Sequence, residues 1–390
     1  MTLPKIKLNV LAEDDASFYR SLSVSIRGVD LTTPVKAVNL ARVDPELRIN
    51  ASPIGEVYRA LDREDVESLV VDVARQSMLR RELAWKLGKA DRLGLPAVVL
   101  FFALKAPKIS ETALTFLLGL QYELTRSRPS FFALPNIERV GVLLERKELS
   151  FEDYKSFIDK ALRCLEETLP NVSLLVPIPL SLPPIFIEDL VRSYLRRGVD
   201  AFYLDFEGRT WRGLSVNLVW LHQTLRREGS VALLYAINLG PGMPLRKEAV
   251  IPALDLLSLG VGVDILGDNH LPPRVPADVL AEMGGLRLLN KEDYGYYKPL
   301  NVRELSAIYP SDSLVPLDRL LSSHQVIRKR AQSLFNAEQA YLEMRKVQGL
   351  LREGESVVGY LKEKKYVITY LEEVLGVKKR SRSFTIADFL

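Results

Sequence analysis

Three consecutive apolar segments, each ending in polar residues or glycines, decide the fold. They read GVDAFYLDFEGR (198–209), GSVALLYAINLGPG (229–242) and LGVGVDILGDNH (259–270). An amphipathic helix pattern precedes each segment, and two segments carry acidic groups near their ends: Asp205 and Glu207, then Asp264 and Asp268. Repeated strand–helix units whose polar residues gather at one end predict a (β/α)8 barrel with its active site at that end.

Strand candidates recur along the chain, mostly as continuous apolar runs, which are typical of parallel strands buried on both faces. They are 68–72, 97–103, 140–145, 172–177, 201–206, 231–237, 263–267 and 286–289. The segment 127–135 is interpreted as an irregular loop or a short extra strand. The predicted organisation is a β-rich N-terminal segment packed on the barrel (1–60), the barrel (61–300) and a helical C-terminal extension with a basic tail (301–390). Within the first segment, alternating residues on both sides of a turn at Gly28 predict β hairpins.

Composition narrows the class of protein. The chain has 390 residues, of which 47% are hydrophobic, enough for a barrel-sized core and a smaller appendage. No apolar run is long enough to predict a membrane span, and the N-terminus does not resemble a signal peptide. The single cysteine, Cys164, excludes an intrachain disulfide and predicts a reducing cytoplasm. Many charged residues with few cysteines and methionines would suit a thermophile.

The formal net charge is only +4, but basic residues are concentrated near the C-terminus. This density predicts a surface that binds the phosphates of a nucleic acid. The alternative is a set of solvated helix faces, because many of these basic residues alternate with glutamates. The residues assigned to the predicted nucleic-acid surface are Arg328, Lys329, Arg330, Lys378, Lys379 and Arg380.

Four segments also resemble one enzyme family. They are IRGVDLTTPVKAVNL (26–40), LVVDVARQ (69–76), AINLGPG (236–242) with the LGVGVDILGDNH run, and LFNAEQAYLEMRKVQGLLREG (334–354). Together they resemble tRNA-guanine transglycosylases, which exchange guanine for a 7-deazaguanine base in tRNA. The similarity spans most of residues 20–365. It implies a tRNA partner and a dimer formed through the helical end.

The resemblance also implies catalytic residues. Base exchange needs a carboxylate that attacks the ribose C1′ and a second group that handles the proton of the base. The family's nucleophilic aspartate falls on Gly267 here, and Asp268 follows one residue later; either Asp268 attacks or the nucleophile has been lost. Asp72 matches the acid/base aspartate, with a helix N-cap as the alternative, and Asp264 takes a supporting role. The predicted substrate-binding residues are Asp205, Glu207, Asn269, His270, Gly240 and Gly242.

Two departures from the family pattern alter the expectation. Family members bind a structural zinc through three cysteines and a histidine, whereas Phe335 stands at the histidine position here and the C-terminal region has no cysteine. We therefore expect no metal and no cofactor, with hydrophobic packing by Phe335 in place of zinc. Asp205 and Glu207 lie where the family has a glycine pair that approaches the base, which indicates an altered substrate or none.

Three functions remain open from the sequence. The first is a divergent transglycosylase that uses Asp268 and Asp72. The second is a catalytically silent paralogue that binds RNA or pairs with an active transglycosylase subunit as a homodimer or heterodimer partner. The third is an unrelated barrel enzyme that uses the Asp205/Glu207 pair on a small molecule.

Overall fold

The computed structural model describes residues 6–169, 172–240, 242, 250–271, 287–298 and 302–383. The strands are β1 (Lys7–Glu13), β2 (Arg20–Ile26), β3 (Val29–Thr32), β4 (Val35–Asn39), β5 (Ile54–Leu61), β6 (Val98–Leu104), β7 (Ser130–Ala133), β8 (Asn136–Ile137), β9 (Ser173–Pro179), β10 (Ala201–Asp205), β11 (Leu233–Ile237), β12 (Val250–Pro252), β13 (Ile265–Leu266), β14 (Leu288–Asn290) and β15 (Gly295–Tyr297). The α-helices are α1 (Arg63–Val71), α2 (Val73–Leu93), α3 (Glu111–Thr125), α4 (Val140–Glu145), α5 (Phe151–Thr168), α6 (Pro184–Arg196), α7 (Ser215–Arg227), α8 (Val302–Ile308), α9 (Leu317–Leu320), α10 (Gln325–Glu353), α11 (Val357–Leu361) and α12 (Leu371–Ser383).

Eight parallel strands form a closed barrel, which confirms the predicted fold class. Their order around the barrel is β4, β5, β6, β7, β9, β10, β11 and β13. The last strand pairs with the first, with Ile265 opposite Val35 and Leu266 opposite Lys36. The short strand β8 continues from the end of β7 and pairs with the end of β6. All eight strands therefore point their carboxyl ends at one rim, where a barrel site is expected.

Five of the predicted strands are confirmed as β6, β9, β10, β11 and β13. The segment 127–135, interpreted as a loop or a short extra strand, supplies the barrel strand β7. The first two barrel strands, β4 and β5, end by residue 61, so nearly all of their residues lie in the segment 1–60 that was predicted to pack on the barrel. The alternation and the Gly28 turn had pointed to hairpins there, but only β1, β2 and β3 form an antiparallel sheet.

Two strand predictions are wrong because short apolar runs fit a helix as well as a strand. Residues 68–71 belong to α1. Asp62 caps the start of this helix, and its side chain accepts a hydrogen bond from the Asp65 backbone amide. Residues 140–145 form the short helix α4. Within 286–289, residues 288–289 belong to β14, which joins β12 and β15 in a separate antiparallel sheet; residue 286 lies outside the described residues.

The N-terminal sheet closes the amino-terminal end of the barrel. Its buried side chains, including Leu22, Val24 and Ile26, form one core cluster with inward-facing barrel residues such as Phe101 and Tyr203. This end of the barrel is thereby filled with apolar side chains. The open end is the opposite rim.

The C-terminal helices confirm the predicted helical extension. Helix α10 packs along β4 and runs the height of the barrel. Near its middle, Asn336 accepts a hydrogen bond from the Leu289 amide, and near its end Gln348 donates to the carbonyls of Thr32 and Pro34. Phe335 is fully buried and stacks on Tyr309 with a ring-centroid distance of 5.9 Å, as its predicted packing role requires.

Among the described residues, no helix combines the length and apolar character needed to cross a membrane.

His222 on α7 is a packed core histidine. Its ring stacks on Phe18 at a centroid distance of 3.8 Å, and its Nε2 lies 2.8 Å from the Val261 carbonyl. Burial lowers the pKa of His222 to about 4. The neutral imidazole is thus the form that the folded protein holds.

We expect His222 to make the free energy of unfolding fall as the pH drops from about 6.5 to about 4. In that window the unfolded chain binds a proton at this histidine and the folded chain does not, which amounts to about 3 kcal/mol at most. Because other buried groups titrate in the same window, the contribution of His222 is the difference in slope between the unchanged protein and His222→Gln, measured by urea unfolding. The matched variant His324→Gln changes an exposed histidine and should keep the slope. Equal slopes in His222→Gln and the unchanged protein would contradict the assignment.

Candidate active site

Asp268 lies at the carboxyl end of the last barrel strand and is tied to the first strand. Its Oδ1 is 3.2 Å from the Lys36 ammonium, and its Oδ2 accepts a hydrogen bond from the Asn39 amide at 3.0 Å. Lys36 also donates to the carbonyls of Leu266 and Gly267. The junction of the first and last strands therefore fixes the position of this carboxylate.

The surroundings of Asp268 favour its ionised form. Burial alone would raise its pKa, but the positive charge of Lys36, followed by His270 and Arg42 and the Asn39 N–H, outweighs burial and lowers the pKa below its ordinary value. The side chain is 25% exposed, so it remains open to a ligand. Asp268 is a carboxylate at neutral pH.

A buried carboxylate, Glu56 on β5, supports the loop that carries Asp268. Its Oε2 accepts a hydrogen bond from the Asp268 amide at 2.9 Å and lies 3.0 Å from His270 Nε2. Its Oε1 accepts from the Tyr235 hydroxyl at 2.5 Å. The His270 ring also stacks on Tyr58 at a centroid distance of 4.6 Å. Glu56 and His270 thus hold the strand end rigid.

The same packing explains why glycine occupies position 267. A Cβ atom at Gly267 would lie 2.3 Å from Glu56 Oε1 and 2.4 Å from the Ala236 carbonyl oxygen. Neither neighbour leaves room for a side chain. A carboxylate side chain therefore does not fit at position 267, and Asp268 is the next residue along the chain.

Asp205 and Glu207 lie at the same rim but do not act as a pair on one strand face. Strand β10 ends at Asp205, and Glu207 follows in the left-handed region with φ of 51°. Asp205 accepts hydrogen bonds from Asn238 Nδ2 and the Glu207 amide, both at 2.9 Å, whereas Glu207 accepts from the Ser181 hydroxyl at 2.7 Å. Burial, followed by the charge of Glu207, raises the pKa of Asp205 to about 7.

Asn238 joins the two acidic regions. Its amide donates to the Asp268 carbonyl, its Nδ2 donates to Asp205, and its Oδ1 accepts from the His270 amide. Four carboxylates, Asp72, Asp205, Glu207 and Asp268, are predicted to converge at one rim; the structure brings the last three together, and Asp72 lies elsewhere. Asp205 and Glu207 are almost fully buried, at 4% and 1% exposure, and form the wall behind Asp268.

A cleft of about 660 Å³ opens beside Asp268 between the barrel rim, the β12–β15–β14 sheet and helix α10. Its walls combine four basic side chains with polar residues from α10. The lining residues include Lys36, Arg42, Asp255, Asp268, Asn269, Arg287, Tyr296, Lys329, Gln332 and Asn336. A cleft of this size accommodates a nucleoside-sized ligand.

A second carboxylate, Asp255, lines the same cleft. It follows β12, and its Oδ2 accepts a hydrogen bond from the Tyr296 hydroxyl at 2.7 Å. Burial raises its pKa, although the Tyr296 hydrogen bond and the charge of Lys36 partly oppose the rise. The cleft therefore contains two aspartates whose pKa values are shifted in opposite directions.

Asp264 and Asp72, predicted as catalytic groups, lie away from this cleft. Asp264 precedes β13, four residues before Asp268 and about 13 Å away along an extended strand. It is fully buried and binds Arg20 through two hydrogen bonds of 2.8 and 2.7 Å near the amino-terminal end of the barrel. Its predicted supporting role at the nucleophile is corrected to a structural ion pair.

The acid/base prediction for Asp72 is likewise corrected, and its alternative as a helix cap holds. The Asp72 side chain accepts hydrogen bonds from the amides of Ala74 and Arg75 at the start of α2. Its side chain is 41% exposed and forms an ion pair with Arg75. Residues 68–72 were predicted as a strand that would end at the rim. Because residues 63–71 are helical instead, Asp72 lies at the junction of α1 and α2.

The other residues predicted to bind a ligand differ in where they lie: one lines the cleft, and two glycines pack against neighbouring loops. Asn269 lines the cleft, and its carbonyl accepts a hydrogen bond from Arg42. A Cβ at Gly240 would lie 2.9 Å from the Gly208 carbonyl, and one at Gly242 would lie 3.2 Å from the Pro252 carbonyl. These glycines therefore allow close packing of loops, and no ligand is needed to explain them.

The predicted basic surface is two separate regions. Arg328, Lys329 and Arg330 are near the start of α10, and Lys329 lines the cleft. Lys378, Lys379 and Arg380 are on α12, which packs on α7. Lys378 is buried and donates to the carbonyls of Asp14 and Ser17, close to the N-terminal sheet. Only the first region lies near Asp268.

The sequence prediction missed the residues that position Asp268. Lys36 and Glu56 stand inside mainly apolar strand patterns, PVKAVNL and PIGEVYRAL, where a charge signals a buried functional or structural group. Assigning these segments to hairpins outside the barrel hid that signal. Asp255 lies in an unremarkable run, LDLLSLG, and nothing in its local pattern separates it from a helix cap.

No family model matches the chain, and no curated protein gives a significant match. In the part of the chain that the structure describes, no group of three or more histidine, cysteine, aspartate or glutamate side chains is placed to hold a metal ion.

Two substitutions test whether Asp264 and Asp72, which lie away from the cleft, have structural roles. Asp264→Ala leaves the mostly buried Arg20 without its carboxylate partner, and we expect urea unfolding to show a loss of about 3 kcal/mol. Asp72→Ala removes a helix N-cap and should cost about 1 kcal/mol. Asp72→Ala should leave any activity of the folded protein unchanged. A normally stable but inactive Asp72→Ala protein would restore its predicted acid/base role.

Proposed function

We propose that this chain is a divergent tRNA-guanine transglycosylase-like enzyme that exchanges a base in RNA, with Asp268 as the nucleophile. The observation that carries the proposal is an ionised carboxylate, held by Lys36 and the Asn39 amide, in a nucleoside-sized cleft at the carboxyl-terminal rim of a barrel. The sequence resemblance supplies the reaction class. The proposal also places the protein in the cytoplasm with its RNA substrate.

The geometry of Asp268 suits attack on the ribose C1′. A nucleophilic carboxylate must be deprotonated, oriented and partly accessible, and Asp268 meets these three conditions. Each carboxylate oxygen has two acceptor sites, so the bonds to Lys36 and Asn39 leave further lone pairs available. The shift of the carboxylate from position 267 to 268 follows from the packing at Gly267 and is compatible with a retained nucleophile.

The cations of the cleft support a phosphate-bearing substrate. Arg42, Arg287 and Lys329 come from three separate parts of the chain and line the same cleft as Asp268. Arginine and lysine at such positions neutralise the phosphates on either side of a target nucleotide. This arrangement supports a nucleotide unit within RNA over a free uncharged nucleoside.

A second candidate is the silent paralogue, which binds RNA alone or beside an active transglycosylase subunit and performs no exchange. Both Asp268 oxygens accept hydrogen bonds, and Asp72 is outside the cleft, which favours this candidate. The two candidates share the RNA-binding cleft. They differ only in whether Asp268 forms a bond to ribose.

Incorporation of labelled guanine into bulk tRNA tests the nucleophile. We expect incorporation by the unchanged protein and a loss of at least about 10³-fold in Asp268→Asn, which keeps the side-chain shape but cannot attack. Asp72→Ala is the matched control and should stay active. RNA binding without incorporation by the unchanged protein would reject the enzyme in favour of the silent paralogue.

The cleft cations should govern the salt dependence of RNA binding. Arg42→Gln and Lys329→Gln should each weaken binding and lower the slope of log K against log salt by about 1, because each removes one phosphate contact. Lys379→Gln, on helix α12, is the control and should leave the slope unchanged. Unchanged slopes in both cleft variants would place the RNA elsewhere on the protein.

A further inference from the structure

The cleft beside Asp268 is lined by a carboxylate that neither the sequence nor the family resemblance assigns to catalysis. Asp255 lies between β12 and the 3-10 helix Leu256–Val261. It shares the cleft with Asp268, and Lys36 and Tyr296 line the space with them. The charges of both aspartates raise the pKa of the Tyr296 hydroxyl, although its burial raises it more. Tyr296 is therefore within electrostatic reach of both carboxylates.

The two oxygens of Asp255 differ in their contacts. Oδ2 accepts a hydrogen bond from the Tyr296 hydroxyl, whereas Oδ1 is buried and has no hydrogen-bond partner among the described residues. A buried polar atom without a partner costs about 1–3 kcal/mol, so folded proteins rarely keep one without a reason. A proton on this carboxyl group removes the negative charge that makes an unpaired buried oxygen costly.

The environments of the two aspartates favour different protonation states. Burial raises the pKa of Asp255, whereas Lys36 and its neighbours lower the pKa of Asp268. Two carboxyl groups with such divided environments are what covalent exchange at a sugar carbon requires, one as nucleophile and one as acid and base. The titratable and charged groups that line the cleft with Asp255 are Lys36, Arg42, Asp268, Arg287, Tyr296 and Lys329.

We propose that Asp255 is the second catalytic carboxyl group of this site and transfers the proton to the departing base and from the incoming base. This inference rests on the proposed base exchange. In the first step, Asp268 forms a bond to the ribose C1′ and the bond from C1′ to the base nitrogen breaks. The electron pair stays on that nitrogen, which takes the proton of Asp255.

The second step restores both groups. The Asp255 carboxylate takes the N–H proton of the incoming base, and the base nitrogen forms a bond to C1′. The bond from C1′ to Asp268 breaks, and its electron pair returns to the carboxylate. Asp255 ends the cycle protonated and Asp268 ionised, as each began. No oxidant, reductant or metal ion enters this balance.

The principal test compares Asp255→Asn with Asp268→Asn on two RNA substrates. On unmodified tRNA, both variants should lose guanine incorporation, Asp255→Asn by about 10²–10⁴-fold, while their RNA affinities stay within about twofold of the unchanged protein. The second substrate is tRNA methylated at guanine N7, whose cationic base departs without receiving a proton. Release of 7-methylguanine should recover to within about tenfold in Asp255→Asn and stay absent in Asp268→Asn.

The pH profile gives a readout that a merely structural role would not change. Asp255 must be protonated for the first step, so activity should fall at high pH as it ionises. The Tyr296 hydroxyl stabilises the ionised form, and Tyr296→Phe should therefore move the alkaline limb of the profile to higher pH. Asp255→Glu should recover part of the activity.

The outcomes separate this inference from the function on which it rests. No guanine incorporation by the folded, unchanged protein would overturn both. Incorporation that persists in Asp255→Asn with the same pH profile would overturn only the role of Asp255. The same holds if Asp255→Asn fails equally on unmodified and methylated tRNA, because removal of proton transfer alone would spare the methylated substrate. Carbon-13 NMR titration of the aspartate carboxyls, with Asp255→Asn for assignment, checks the protonation state without activity; a pKa at or below the ordinary aspartate value would also overturn the role.

Discussion

The seam between the first and last barrel strands is the constraint on which the rest of the site depends. β13 has two residues paired with β4, and this short pairing is reinforced from the side by the Lys36 ammonium, which binds the carbonyls of Leu266 and Gly267. The same ammonium binds Asp268 and favours its charged form. The contacts of Lys36 therefore both close the barrel and favour the ionised form of Asp268, so a change in one affects the other.

The fold could be predicted from the sequence because the later strands are continuous apolar runs between amphipathic helices. The early part could not be predicted correctly, since β4 and β5 alternate enough to resemble hairpins and carry the charges of Lys36 and Glu56 in their interiors. Those charges are tolerated only because distant groups satisfy them: Asp268 and two carbonyls for Lys36, Tyr235 and the Asp268 amide for Glu56. Partners more than 170 residues away leave no trace in a local pattern.

The same reasoning explains which parts of the site could be foreseen. Asp268, Asn269 and His270 directly follow a buried strand, and parallel strands bring such residues to one rim. The position of Asp72 was predicted wrongly because the three-residue apolar run Leu69–Val71 before it fits a strand or a helix. A strand would put the aspartate at the rim, whereas the helix makes it a cap. Asp255 could not be foreseen, because its neighbours Tyr296, on the paired strand β15, and Lys36, in the barrel, are distant in sequence and meet it only in the folded chain.

The large sequence separation between β4 and its partner β13 has a consequence for synthesis on the ribosome. Strand β4 pairs with β5 early, but its other edge waits for β13 and its outer face waits for α10, almost 300 residues later in the chain. At about 5–20 residues per second, a nascent chain holds the β13 edge open for roughly 10–45 seconds. Exposed edges recruit other strands. The charge of Lys36 in β4 disfavours pairing of this edge with another strand until Asp268 has been synthesised. The residue that orients the carboxylate therefore also protects the incomplete barrel from wrong strand pairing.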